Sequence, residues 1–172
     1  MKRLLDILLS IIGIILSFPL VIFFLTLVFF EDKSNPLYIA KRIGIKGREF
    51  NLIKIRTMLI GAELTKVDST SENDERITKI GNFIRKYKID ELTQFINIFL
   101  GQMSFVGPRP NVKRDTDLYT NLEIGLLSVK PGLTDFSSII FSDESKILAN
   151  SKNPDISYNQ LIRPWKSRLG LF

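Results

Sequence analysis

Apolar residues run almost unbroken from Ile7 to Phe30, and no residue in that stretch is charged. As a straight helix it spans roughly 36 Å, enough to cross a hydrocarbon core about 30 Å thick. It is too long for the apolar region of a cleaved signal and no small-residue cleavage site follows, so it reads as retained. An ordinary single transmembrane helix is the simplest reading. Two features point instead to a re-entrant helix over residues 1–31. Pro19 lies mid-run, where it removes a backbone hydrogen bond and kinks the helix. Basic residues flank both ends: Lys2 and Arg3 before, then Lys33, Lys41, Arg42, Lys46 and Arg48 after. The positive-inside preference keeps both of these ends cytoplasmic. Ser17 is placed to satisfy backbone groups freed near the break, and Asp6 to be tied to Lys2 or Arg3 at the interface.

After a polar turn at Glu31–Pro36 the pattern becomes strand-like from Leu37 to Met58, with turns at Gly44 and Gly47. Alternation from Phe50 to Arg56 puts Lys54 and Arg56 on one face. Two cations there could clamp a diphosphate; a solvated strand edge fits the pattern equally. Leu59 to Lys66 suits a short helix. Val67 to Glu75 has loop composition and is a candidate lid or a plain surface loop. Thr78 to Lys88 reads as a helix with Ile80, Phe83, Ile84 and Tyr87 apolar. From Arg76 to Lys88 the chain carries several basic residues and no acid. Leu92, Phe95, Ile96, Phe99 and Leu100 then give one apolar face at helical spacing, stopped by Gly101. A short β-like run, a polar helical piece from Asn111 to Leu127 and a Lys130-Pro131-Gly132 turn follow. Leu133 to Phe141 is β-like or irregular, and Ser142-Asp143-Glu144 resembles a helix start. Tyr158 to Phe172 mixes Trp165 and leucines with Arg163, Lys166 and Arg168, as in a helix lying on a membrane surface; a partner-docking or core helix fits as well. The expected fold is α+β: a small, mostly helical domain with short strands over residues 32–172, joined to the membrane helix.

Composition narrows the chemistry. The chain of 172 residues has no cysteine and no histidine. That excludes thiol chemistry, disulfides, Cys/His zinc sites and a histidine base. A divalent ion would be a hard one held by oxygen, such as magnesium. The net charge of +6 suits phosphates, nucleic acid or an anionic membrane face. Little aromatic interleaving is present, so nucleic acid is not an expected partner.

Two features then stand out in KIDELTQFINIFLGQMSFVGPRP. Asp90 and Glu91 fall where a helix should start. There the N-terminal field favours a negative charge on Asp90 and draws phosphate close, and Glu91 could hold magnesium. A helix cap followed by favourable first-turn charge gives the same pattern. Arg109 is held between Pro108 and Pro110, which restricts its backbone and suits bidentate phosphate recognition; a rigid exposed turn is the alternative. Arg85, one turn before the dyad, is a phosphate ligand or a helix cap.

FNLIKIRTM, DERITKIGNFIRKYKIDELTQFINIFLGQMSFVGPRP and VKPGLT, in that order and spacing, resemble the bacterial sugar transferases called monotopic phosphoglycosyl transferases. The Lys2-Arg3…Asp6…Pro19 start fits the re-entrant helix of that family, so the resemblance covers most of the chain from Lys2 to Thr134. It implies an enzyme at the cytoplasmic face of the bacterial plasma membrane, with residues 32–172 as its catalytic domain. The implied reaction moves a phospho-sugar from a UDP-sugar to polyprenyl (undecaprenyl) phosphate, releases UMP and initiates lipid-linked glycan synthesis. By the resemblance Asp90 is the nucleophile and Glu91 binds Mg2+, while Lys54, Arg56, Arg85 and Arg109 bind phosphates or the nucleotide. The chain departs from the family where Phe18 precedes Pro19, where Thr93 replaces a frequent proline and where Asp135 replaces a common glycine. The sugar is therefore not carried over. The chain also ends earlier than many relatives, so a final amphipathic element is expected to be missing. Membrane lipid is an expected partner, and the apolar end at Leu169–Phe172 makes a second copy of the chain a candidate one. The competing reading is a non-enzymatic, membrane-anchored basic module that binds anionic lipid or a partner protein.

Overall fold

The computed structural model describes residues 1–65, 74–149, 151 and 153–171, so most of the Val67–Glu75 loop lies outside the described residues. The first element, α1 (Lys2–Asp32), is α-helical throughout, with Pro19 inside it. It is long and apolar enough to cross a membrane. Yet both of its ends are fastened to the rest of the chain. At the start, Lys2 donates to the Val106 carbonyl (3.0 Å), and Arg3 donates to the carbonyls of Ile98 and Phe99, at 2.6 Å each. Toward its end, Phe24 and Val28 are buried in a cluster with Ile55, Ile84 and Ile89. Asp32 accepts both terminal nitrogens of Arg56, at 2.5 and 2.7 Å. The opposite side of α1 is an exposed apolar face that includes Leu4, Leu8, Ile15 and Leu16.

Asp6 departs from the expected tie to Lys2 or Arg3. It is buried and accepts from the Ser104 hydroxyl (3.0 and 3.1 Å) and the Phe105 N–H (3.3 Å). A carboxylate removed from water needs donors, and the nearest strand supplies them. Ser17 donates to the Ile14 carbonyl at 3.5 Å, one residue before the carbonyl whose helical donor Pro19 lacks.

Strands β1 (Leu37–Ile43) and β2 (Glu49–Ile55) form the antiparallel hairpin expected from the alternation, with Leu37 opposite Ile55 and Ile43 opposite Glu49. Lys46 and Gly47 make its turn at positive φ (56° and 71°). Next come α2 (Lys79–Lys86), capped by the Thr78 hydroxyl accepting from the Gly81 N–H at 2.9 Å, and α3 (Gln94–Leu100), ended by Gly101 at φ 84°. The free edge of β2 meets α3 through polar side chains. Asn97 accepts from the Ile53 N–H (3.1 Å) and donates to the Asn51 carbonyl (2.7 Å), while the Thr93 hydroxyl donates to the Ile53 carbonyl (2.8 Å). Asn97 of α3 and Thr93 at its cap position thus take the place of a neighbouring strand. They satisfy backbone groups that a buried edge would otherwise leave bare.

β3 (Ser104–Val106) pairs in parallel with β4 (Gly132–Thr134), Ser104 opposite Gly132 and Val106 opposite Thr134. The crossover between them contains α4 (Lys113–Thr116) and a 3₁₀ turn at Glu123–Ser128, shorter pieces than the continuous helix expected there. Leu133 to Phe141 was expected to be extended or irregular; β4 stops at Thr134 and α5 (Phe136–Ile140) begins. The Asp135 carboxylate accepts from the Ser138 N–H at 2.7 Å, a cap that overrides the β-branched composition. Then follow α6 (Glu144–Ile147), α7 (Pro154–Ser157), a π-helical turn at Tyr158–Ile162 and α8 (Arg163–Leu169). The buried Glu123 anchors α8, accepting from the Ser167 hydroxyl at 2.6 Å.

Candidate functional site

Asp90 and Glu91 lie in a 3₁₀ turn at Ile89–Glu91, entered from Lys88 at φ 56°. This differs from the expected helix start: α3 begins only at Gln94, with Thr93 at its cap position. Successive side chains diverge by about 120° on such a turn, against about 100° on an α-helix, so the turn does not align the two carboxylates; a shared cation joins them.

The dyad's neighbours are cations. Lys54, projecting from β2, donates to Asp90 Oδ2 at 3.1 Å and to Glu91 Oε1 at 3.2 Å. Arg109 Nη2 donates to the same Glu91 oxygen at 2.7 Å. The side chains of Lys54, Asp90 and Glu91 retain 19%, 11% and 14% of their exposure, so these contacts are poorly screened by water. Burial pushes the Glu91 carboxyl up, but the charges and hydrogen bonds of Arg109 and Lys54 outweigh it and bring Glu91 from 4.5 down to about 2. The charge of Glu91 in turn raises Arg109 above its ordinary value.

Two carboxylate oxygens are left over. Among the described residues Asp90 Oδ1 and Glu91 Oε2 have no hydrogen-bond partner. The same residues contain no cluster of three or more Asp, Glu, His or Cys side chains able to hold a metal. A magnesium ion fits such a site when one or two carboxylates are joined by substrate phosphate and water, which is its usual habit. Asp90 Oδ1 and Glu91 Oε2 are the oxygens this chain would contribute to such a set.

The position of Arg109 depends on a contact between distant motifs. The β3–β4 pairing places Gly107 against Gly132, so closely that a Cβ on Gly132 would lie 2.2 Å from the Gly107 nitrogen. VGPRP and KPGLT are thereby packed backbone to backbone, and the Pro108–Pro110 segment carries Arg109 to Glu91.

The remaining sequence candidates fall at different distances from this centre. Arg85, on α2, donates to the Thr57 hydroxyl at 3.5 Å. Burial lowers its pKa, and the charges of Asp90 and Asp74 oppose that, which puts it within the field of the dyad. Arg56 lies one residue beyond β2 and is engaged at the end of α1 through Asp32 and the Asn35 carbonyl. The structure brings Lys54 and Arg109 onto the dyad, sets Arg85 nearby and holds Arg56 at the α1 junction. Ser17 and Pro19 lie within α1.

Sequence reasoning passed over Thr93 and Asn97, which fix the dyad's turn to β2. The available signal was their spacing of one helical turn, with polar side chains among the apolar residues of α3.

A model of the bacterial sugar transferase family matches residues 1–168. The UDP-glucose:undecaprenyl-phosphate glucose-1-phosphate transferase of Klebsiella pneumoniae is 37% identical over 141 residues, which cover 80% of this chain and 30% of that protein. A putative undecaprenyl-phosphate N-acetylgalactosaminyl 1-phosphate transferase of Bacillus subtilis is 38% identical over 120 residues, 70% of this chain and 67% of that one. The UDP-N-acetylgalactosamine-undecaprenyl-phosphate N-acetylgalactosaminephosphotransferase of Aeromonas hydrophila is 33% identical over 143 residues, 81% of this chain and 34% of that protein. The chain thus spans about a third of the Klebsiella and Aeromonas proteins and two thirds of the Bacillus one.

Proposed function

The chain belongs to the bacterial sugar transferase family, and from that premise we propose that it transfers a phospho-sugar from a UDP-sugar to polyprenyl phosphate, releasing UMP, as the first step of a lipid-linked glycan. The observation that carries this reading is the buried Asp90, with Oδ2 held by Lys54 and Oδ1 left without a partner, beside Glu91 and Arg109. Covalent carboxylate catalysis needs no histidine or cysteine, and the chain has neither.

In the first step an Asp90 oxygen attacks the sugar-bearing phosphorus. The bond from that phosphorus to the bridging oxygen breaks, and UMP leaves with the electron pair. In the second step an oxygen of polyprenyl phosphate attacks the same phosphorus. The bond to Asp90 breaks, which restores the carboxylate and gives polyprenyl-diphosphate-sugar. Lys54 orients Asp90 and offsets its charge as phosphate approaches. Arg109 and Arg85 supply further positive charge for the diphosphate. A magnesium ion held by Glu91 would neutralise charge on the diphosphate.

The lipid acceptor requires a site at the bilayer surface. The exposed apolar face of α1, whose two ends are both fastened to the same domain, supports a re-entrant helix that enters and leaves by the cytoplasmic face of the bacterial membrane.

The test is Asp90→Asn, assayed for UMP release from UDP-sugar plus polyprenyl phosphate and for a phospho-sugar adduct by mass spectrometry. The expected result is loss of both signals in a folded protein. Release of UMP at the unmodified rate would remove Asp90 as nucleophile.

A further inference from the structure

Arg109 has a second environment besides Glu91. It also lines a recess walled by Asp135, Ser137, Tyr158, Arg163 and Lys166, formed where α5 and α8 meet the Pro108–Pro110 segment. We propose that this recess receives the sugar ring of the nucleotide-sugar and that Asp135, Tyr158 and Arg163 set the choice of sugar. The inference rests on the reaction proposed above.

The charges argue for a neutral occupant. Arg109, beside Glu91, stands at the edge shared with the diphosphate; deeper in the wall Lys166 has Glu144 and Arg163 has Glu123 at 3.6 Å. Beyond Arg109 a second phosphate would find no unpaired positive charge. What remains is hydrogen-bonding capacity of both kinds. Arg163 Nε is a buried donor without a partner, one of only two such side-chain atoms among the described residues. Buried donors in native proteins are nearly always satisfied, so this one points to an acceptor oxygen that a ligand would bring. The Tyr158 hydroxyl makes no hydrogen bond among the described residues, although its ring lies under Lys166 Nζ, 5.6 Å from the centroid. Asp135 accepts from Ser137 and the Ser138 N–H, and a carboxylate has lone pairs for more. Free donors beside a carboxylate acceptor, with an aromatic ring in the wall, match a polyhydroxyl ring, whose hydroxyls both donate and accept.

Position selects the sugar over the nucleoside. The recess shares Arg109 with the dyad, and the phosphorus that Asp90 attacks is esterified directly to the sugar. The nucleoside is one phosphate further away.

The test compares Tyr158→Phe and Asp135→Asn with the unmodified protein. KM and kcat are measured for UDP-sugars that differ at single hydroxyl or acetamido positions, and UMP is titrated as product inhibitor. Tyr158→Phe should raise KM for the preferred sugar about tenfold, the effect of one lost hydrogen bond. The KM for a sugar lacking the contacted group should stay unchanged, and so should the UMP inhibition constant. Asp135→Asn should alter the ranking of sugars while keeping the α5 cap. An inhibition constant for UMP that rises in step with every KM would assign the recess to the nucleoside and overturn the proposal. Unaltered KM values for all sugars in both variants would overturn it as well. Absence of turnover by the unmodified protein with every UDP-sugar counts against the reaction rather than the recess. Calorimetric titration then decides: equal weakening of UDP-sugar and UMP by Tyr158→Phe, or of neither, refutes the sugar subsite.

Discussion

Lys54 Nζ lies 3.1 Å from Asp90 Oδ2 and, from the same position, 3.2 Å from Glu91 Oε1. One strand ammonium therefore holds both carboxylates of the dyad, and Arg56, two residues on, is engaged elsewhere with Asp32. Lys54 thereby ties the two carboxylates of the dyad to β2.

Replacing Lys54 with methionine keeps most of the stem and removes the charge. It leaves two poorly solvated carboxylates with Arg109 as the neighbouring partner of Glu91 alone. A loss of roughly 3 kcal/mol at neutral pH is expected from breaking a buried pair, together with loss of UMP release. Denaturant unfolding checks the first. The double variant with Glu91→Gln should lose less than the sum of the two single losses, because Lys54 and Glu91 are direct partners.

Glu91 makes stability depend on pH. Its folded pKa is about 2 against an ordinary 4.5. Because the folded value is depressed, the stabilisation is complete above about pH 4.5 and is lost as pH falls toward 2. The whole effect is about 3 kcal/mol, with roughly 2 kcal/mol gone by pH 3. The unfolding midpoint of the unmodified protein should fall over this interval, and that of Glu91→Gln should fall distinctly less.

Gly132→Ala tests the pairing that aims Arg109. The new Cβ would meet the Gly107 nitrogen and carbonyl oxygen at 2.2 and 2.3 Å, and these are backbone atoms that cannot rotate away. Separation of β3 from β4, a stability loss of about 2–3 kcal/mol and a fall in activity are expected. Gly47→Ala serves as comparison: it meets nothing within 4 Å, and although its positive φ adds strain, its activity should persist.

Topology follows from the two ends of α1. Arg3 is bonded to the end of α3, and Asp32 to Arg56. Single cysteines replacing Lys2 and Lys41, in a chain that has none of its own, should therefore react with a membrane-impermeant maleimide from one and the same side. Reaction from opposite sides would establish a spanning helix.

The local elements were readable wherever one periodicity dominated. The apolar run predicted α1, alternation predicted the β1–β2 hairpin, and spacing with Gly101 predicted α3 and its end. The dyad and Arg109 were also visible, since charge beside an apolar helix and arginine between prolines are local patterns. Phe136–Ile140 was less legible because β-branched residues suit a strand, and only the Asp135 cap decides for a helix. The partner of Asp6 was misread for a related reason: its nearest cations in sequence are Lys2 and Arg3, but burial against β3 put Ser104 and Phe105 closer.

The sequence by itself determined the long apolar helix, the β1–β2 hairpin and α3 with its end, and which charged residues are candidates for chemistry. These depend on contacts within a few residues. Tertiary structure alone decided that Lys54 joins the dyad and Arg56 joins Asp32, that Gly107 packs against Gly132, and that Arg109 faces both Glu91 and a polar recess. Each depends on backbone approach between segments far apart in the chain, where hydrogen-bond satisfaction and close packing choose among partners that periodicity leaves equivalent.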